Sequence, residues 1–352
     1  MSLLASNKQH VVVTERYVID ESLGKGQYAE VRKAYIKKTG QPVAIKISSI
    51  KDSPEMEGIH LTILQEIKLL KEIVHPNIIR LIDVFRFQGS VAMVLEFAVG
   101  DVESLIRDRD LILSPSDIKS VAQMMFQAVQ ACHRAWVIHG DLKPNNFLVG
   151  SDGAIRLADF GLSRVFGTET FRHTNMLFAH WYRAPELYFG STRFGSAPDV
   201  WAVGCIFAEL ILRGPLFPGN TDRDQLSKVF AILGTPTEDD WPGVTKLPAY
   251  VAFAPRTSRP LAQVVPQASP EALDLLSKLL QLNPLKRISM DEALKHPYFT
   301  KAAPAPTPVE KLHRSGSKIR ERMEKAVANP QTVRDLILAH RKRKATALAE
   351  RG

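Results

Sequence analysis

Cysteine is nearly absent from this 352-residue sequence: Cys132 and Cys205 are the only two, each among apolar neighbours. Two such residues exclude a disulfide framework and a cysteine zinc site, read as core, and suit a reducing compartment. Long apolar runs are absent too. The longest apolar helix candidate, Trp201 to Leu212, is too short to cross a bilayer and carries Glu209, and the opening MSLLASNKQH lacks the apolar centre of a secretory signal. The expectation is a soluble intracellular protein. A basic body, which would favour nucleic acid or a membrane surface, is also missing. The net charge of +9 comes from residues 301–352, with 13 Lys/Arg against 5 Asp/Glu, which leaves 33 against 32 over residues 1–300. There is no internal repeat. What is present, 45% hydrophobic and 24% charged residues, is ordinary globular material, long enough for two packed domains and a tail.

The most informative stretch is VIHGDLKPNNFLV, Val137 to Val149, answered ten residues later by Asp159-Phe160-Gly161. Asp141, Lys143 and Asn146 lie in a short polar loop bracketed by apolar residues that read as strands, so the loop is anchored at both ends and wet in the middle. Phosphoryl transfer needs an acceptor for the incoming hydroxyl's proton and side-chain oxygens for Mg²⁺. Asp141, Asn146 and Asp159 can supply them.

Upstream, Tyr17 to Leu23, Ala29 to Tyr35 and Val43 to Ile47 read as strands, with Gly24-Lys25-Gly26-Gln27-Tyr28 between the first two. A Gly-x-Gly alone is more often a hairpin turn. Here a second strand follows instead of the helix that a dinucleotide site requires, and Val43-Ala44-Ile45-Lys46 comes about 20 residues later. Glycines let backbone amides close over phosphates, and a strand lysine reaches them as a point charge. Over residues 60–73, Leu61, Leu64, Ile67, Leu70 and Ile73 have a helical period, and Glu66 on that helix is the anion that would orient Lys46. Pro76 ends the helix, and His75 reads as structural. Val91 to Phe97 is a further strand and Ala98 to Asp101 a hinge. Helices are predicted over Pro115 to Ala135, Trp201 to Leu212, Arg223 to Leu233 and Pro270 to Leu280, with Thr235 to Gln267 an irregular surface insert.

In order and spacing these residues resemble the protein kinases, over about residues 17 to 300. The resemblance implies an α+β, bilobal fold: an N-terminal extension over 1–16, a small β-rich lobe over 17–98, a larger mostly α lobe over 99–300, and a basic linker and tail over 301–352. It also implies roles. Lys46, held by Glu66, would bind the α- and β-phosphates of ATP, while Leu23, Gly24, Lys25, Gly26, Gln27, Tyr28, Ala29 and Val31 cover the nucleotide. Ala44 and Leu148 would sandwich adenine, Glu96 and Ala98 would offer it backbone groups, and Asp101 would reach the ribose. Asp141 would accept the substrate proton, Lys143 would steady the transferred phosphate, and Asn146 and Asp159 would hold Mg²⁺. Asp199 would brace the loop, and Glu186 would pair with Arg287. Within the kinases, WYRAPEL, DVWAVGCIFAEL, LGTPTEDDWPGV and LPAYVAF are similar to the cyclin-dependent kinases. EIKLL, HPNIIRLIDVF, DLKPNN and RKRKATALAERG resemble the branch that activates other cyclin-dependent kinases and serves transcription factor II H. That likeness implies a serine/threonine kinase with a cyclin H-type partner on the Glu66 helix and a RING-finger assembly factor. Its substrates would be the RNA polymerase II heptad repeat and the activation loops of other cyclin-dependent kinases. The location would be nuclear, with no membrane and no direct nucleic-acid contact.

Several positions depart from the family pattern. The family grips an activation-segment phosphothreonine, here matched by Thr174, with three arginines; two are replaced by Gly140 and Gln65, and Arg164 remains. Ala179 lacks the hydroxyl that would bridge Asp141 and Lys143. Phe178 takes the position that shapes the pocket for a proline after the target, and Thr168-Glu169 replaces a Ser-Pro phosphosite. Two readings follow: an active kinase whose segment is ordered by cyclin and assembly factor instead of phosphate, or a catalytically impaired kinase-fold scaffold. The intact Lys46, Glu66, Asp141, Lys143, Asn146 and Asp159 favour the first. Tyr28 reads as a phosphate-lid residue. In the tail, Ala302 to Pro308 reads as a semi-rigid linker, and Lys318 to Ala326 and Gln331 to Arg341 as helices able to pack on a partner. Arg341 to Lys344 is a solvated charge cluster or a nuclear import signal.

Overall fold

The computed structural model describes residues 12–26, 29–48, 57–166, 178–192, 194–312 and 330–349. Gln27, Tyr28, Thr168, Glu169, Thr174 and the predicted helix from Lys318 to Ala326 lie outside the described residues. The chain divides into two units, Met1–Glu72 with Ile79–Val99 and Lys318–Gly352, and Ile73–Ile78 with Gly100–Ser317.

In the first unit, β1 (Val12–Val13), β2 (Tyr17–Lys25), β3 (Ala29–Ile36), β4 (Pro42–Ser48), β5 (Leu81–Phe87) and β6 (Ser90–Glu96) form an antiparallel sheet in the order β1-β2-β3-β4-β6-β5. Side chains alternate across a strand, so Tyr17, Ile19, Ala34, Val43, Ile45, Ala92 and Val94 fall together in one core. Strand β5 is absent from the sequence reading because Asp83 and Arg86 interrupt its apolar pattern; its pairing with β6 supplies the order. Helix α1 (Glu57–Glu72) buries Ile63, Glu66, Leu69 and Leu70 but leaves Leu61 and Leu64 67% and 60% exposed. The predicted apolar stripe is therefore split between core and surface.

The second unit begins within β7 (Ala98–Asp101), from which the chain enters α2 (Val102–Arg107) and α3 (Pro115–Arg134). There follow β8 (Val137–Ile138), β9 (Phe147–Gly150), β10 (Ile155–Leu157), β11 (Arg164–Val165), α4 (Pro185–Tyr188), α5 (Ala197–Leu212), α6 (Asp222–Leu233), α7 (Leu261–Val264), α8 (Pro270–Leu279), α9 (Met290–Leu294) and α10 (Pro297–Thr300). Helix α5 is apolar nearly all round and is buried from Pro198 to Leu210, the expected fate of such a helix. Phe126 of α3 meets Phe207 of α5 and Phe299 edge-on, at 6.0 and 5.3 Å between ring centres. The insert predicted over Thr235 to Gln267 is packed rather than merely superficial: Trp241 and Val244 are buried, and the Glu238 carboxylate accepts from the backbone of Gly243 and Thr245 at 2.6 and 3.0 Å.

The tail departs from expectation twice. Ala302 to Pro308 is pinned to α3: Lys119, 2% exposed, donates to the carbonyls of Ala302 and Pro304 at 2.6 and 2.7 Å, and Thr307 Oγ1 donates to Asp117 at 2.7 Å. Helix α11 (Pro330–Ala349) covers the chain's own sheet, with Val333 buried against Val18 and Tyr35 and flanked by Leu336 and Ile337. Positions 333, 336 and 337 form one helical stripe, and the sheet face opposite the core supplies its partner.

Candidate active site

Lys46 lies in β4, paired to Val31 of β3 on one side and Met93 of β6 on the other. A central strand fixes its backbone, and its ammonium donates to both oxygens of Glu66, at 2.8 and 2.9 Å. Glu66 is buried on α1, so its charge is compensated by this bidentate contact. Gly24 and Lys25 end β2, and the Gly26 amide closes the turn onto the Ala29 carbonyl at 2.8 Å. A Cβ placed on Gly24 would meet nothing within 4 Å. Leu23, Val31 and Ala44 are at least partly exposed, and Glu96 accepts the Arg80 amide at 2.8 Å.

The catalytic-loop candidates stand on the second unit. Asp141 is 6% exposed; its Oδ2 accepts from Lys143 at 2.7 Å and from Asn146 Nδ2 at 3.0 Å, leaving Oδ1 without a partner among the described residues. The Asn146 amide also donates to the Asp141 carbonyl at 2.7 Å, which turns its own oxygen away from Asp141. The Asp141 to Lys143 contact is direct, so it forms without a hydroxyl at Ala179. Asp159 has a left-handed backbone, φ 66°, a conformation that non-glycine residues hold only when their surroundings impose it. A carboxylate with one oxygen tied and the other open can accept a hydroxyl's proton, and Asn146 and Asp159 are oxygen donors of the kind a hard cation takes. Among the described residues no group of three or more His, Cys, Asp or Glu could hold a metal ion.

The loop is held from beneath. Asp199, fully buried, accepts the amides of His139 and Gly140 at 2.8 and 3.1 Å and contacts His133 Nε2 at 3.1 Å. His139 Nδ1 accepts the Asp141 amide at 3.3 Å, so Nε2 carries the proton and donates to the Ala158 carbonyl at 3.1 Å. Burial pushes the His139 pKa below its ordinary value of 6.5, which keeps the ring neutral. Ser163 donates its hydroxyl to the His139 carbonyl at 3.1 Å. Neither His133 nor Ser163 carries a sequence signal for this role, because each is recruited only by tertiary packing. Gly140 has φ 78°. Arg164 is half-buried and donates to the Ser163 carbonyl at 2.8 Å, and burial lowers its pKa.

Downstream, Glu186 and Arg287 form a buried bidentate pair, at 2.5 and 2.7 Å, with Arg287 also over the Trp201 ring at 5.1 Å. Phe178 is buried near Phe194, and its carbonyl accepts from Arg183 Nη2 at 2.9 Å. Asp101 is the N-cap of α2: its Oδ1 accepts from the Ser104 amide and hydroxyl, both at 2.7 Å. The residues expected to line a nucleotide are distributed over both units, with Leu23 to Ala98 on the first and Asp101 and Leu148 on the second.

Residues 17–299 match the protein kinase domain family. The chain is 51% identical over 306 residues to cyclin-dependent kinase D-1 of Arabidopsis thaliana, spanning 87% of this chain and 76% of that protein. To cyclin-dependent kinase 7 of Dictyostelium discoideum it is 44% identical over 298 residues, 84% of this chain and 83% of that one. Among solved structures, the CAK complex of Chaetomium thermophilum bound to ATP-γ-S matches with a TM-score of 0.79 and 39% identity, over 84% of this chain and 94% of that chain. The chain therefore belongs to the protein kinase family, as a cyclin-dependent serine/threonine kinase of the cyclin-dependent kinase 7 type.

Proposed function

We propose that this kinase transfers the γ-phosphate of ATP to the RNA polymerase II heptad repeat and to the activation loops of other cyclin-dependent kinases, in the nucleus. The observation that carries the reading is the Asp141 loop, whose Oδ1 is open while Lys143 and Asn146 hold Oδ2. Asp141 accepts the proton of the incoming hydroxyl, Lys143 steadies the phosphate in transfer, and Lys46, oriented by Glu66, holds the nucleotide phosphates. Asn146 Oδ1 and the Asp159 carboxylate would hold Mg²⁺, which, when bound, neutralises charge on the phosphate oxygens. On the second unit, Asp101 keeps Oδ2 for the ribose while Oδ1 caps α2.

The exposed Leu61 and Leu64 on α1 suit a cyclin, since two large apolar side chains on the Glu66 helix are otherwise left in water. A RING-finger factor would complete the assembly. Transfer to a heptad peptide and to a cyclin-dependent kinase, with and without cyclin, tests the reading. Asp141→Asn should lower turnover by roughly 10²- to 10⁴-fold while ATP binding persists. Absence of transfer by the unaltered complex with Mg-ATP would favour the scaffold reading instead.

A further inference from the structure

A cleft of about 610 Å³ opens in the second unit between the end of α6, the segments 235–240 and 256–261, and the end of α8 with the turn Pro284–Lys286. Arg256, Arg259 and Lys286 line it against a single carboxylate, Asp240, which already accepts from the Thr237 hydroxyl at 2.8 Å. All three cations are exposed. Arg256 spends one nitrogen on the Ser227 carbonyl at 3.2 Å, while the side chains of Arg259 and Lys286 have no hydrogen-bond or ion-pair partner among the described residues.

The wall bearing the arginines is built, not loose. Thr235 donates its amide to the Arg256 carbonyl at 3.0 Å, and the Arg259 amide donates to Ile232 at 2.8 Å. Gly234, φ 85°, permits the approach: a Cβ there would lie 3.1 Å from the Ser258 nitrogen and 3.2 Å from the Arg256 oxygen. The lining includes the Thr257 and Ser258 hydroxyls but no aromatic ring, so it offers a phosphate donors and a nucleobase no stacking surface, while the Ser277 hydroxyl is spent on the Asp274 carbonyl at 2.7 Å. Leu285, next in sequence to the lining Lys286, is 93% exposed, an apolar contact for a peptide flank. The cation surplus, planar guanidinium donors and open shape describe a site for a phosphorylated side chain on an extended chain.

We propose that this cleft docks a substrate segment already carrying phosphoserine or phosphothreonine, so that one transfer favours the next on the same chain. The proposal rests on the repeated-site substrate proposed above, but its binding test requires no transfer, so the two fail separately.

A fluorescent peptide with two Ser-Pro sites, unphosphorylated or singly phosphorylated, is titrated with the full-length kinase in its cyclin complex, without nucleotide. The phosphorylated form should bind about tenfold more tightly, and Arg259→Ala with Lys286→Ala should remove that preference. The double variant should raise KM for the pre-phosphorylated peptide and leave turnover of a single-site peptide unchanged. Lys286→Glu, at an exposed position, should act in the same direction. Equal binding of the two peptides, an undiminished preference in either variant, or displacement of the peptide by an equal concentration of inorganic phosphate would overturn the proposal. Loss of transfer on every peptide with the phosphopeptide preference intact would instead count against the substrate assignment alone.

Discussion

Gly140, beside Asp141, offers a sharp test of how this kinase orders its loop. Its φ of 78° lies in the left-handed region, where a Cβ crowds the following carbonyl at a cost of about 1–2 kcal/mol. Alanine also restricts the unfolded chain, which returns about 0.4–1 kcal/mol, so Gly140→Ala should be net destabilising by about 1 kcal/mol. For a domain of this size that is a fall of roughly 2–4 °C in Tm. Gly24→Ala serves as control, since its Cβ enters open space and its backbone is not left-handed; its Tm should hold or rise slightly. Gly140→Arg should carry the same strain and recover stability only when Thr174 is phosphorylated, because the added guanidinium then gains a partner. The unaltered chain needs no such compensation, so Thr174→Ala should retain most turnover in the cyclin complex. Calorimetry on the unphosphorylated protein decides the matter: Gly140→Ala melting at or above the unaltered chain would refute the argument.

Arg287→Ala should cost about 3–5 kcal/mol in urea unfolding, because it leaves Glu186 buried and unpaired; a loss under about 1 kcal/mol would contradict the pair's burial. His139 stays neutral in the folded chain while the unfolded chain protonates near pH 6.5. Below that pH the unfolded state binds more protons, so this contribution is present above about 6.5 and lost as the pH falls. The urea midpoint should decline between about pH 7 and 5 more steeply for the unaltered protein than for His139→Phe. A chain ending at residue 312 should lose about 2 kcal/mol, the worth of one well-buried apolar side chain such as Val333, and an unchanged melt would mean that α11 contributes nothing.

Much of the site was legible because its chemistry needs particular side chains at short spacing. Asp141, Lys143 and Asn146 fall within six residues, and the loop that carries them can hardly place them apart. Lys46 and Glu66 are 20 residues apart, yet each sits on an element with a clear period, and the contact at 2.8 Å follows from the strand and helix packing together. Local pattern was less informative where length or polarity ran short: α2 has six residues, and β5 carries charges that blur alternation. The same shortness hid Asp101's service as a helix cap.

Sequence alone determined the fold class and the kinase family, since residue identity and spacing suffice for both. Only tertiary structure decided that Leu61 and Leu64 face water, that α11 returns to the chain's own sheet, and that His133 and Ser163 brace the loop. It also decided that Arg256, Arg259 and Lys286 share one cleft. A period shows that a helix has an apolar stripe, but which neighbour covers that stripe depends on residues far away in the chain, and that information exists only once the chain has folded.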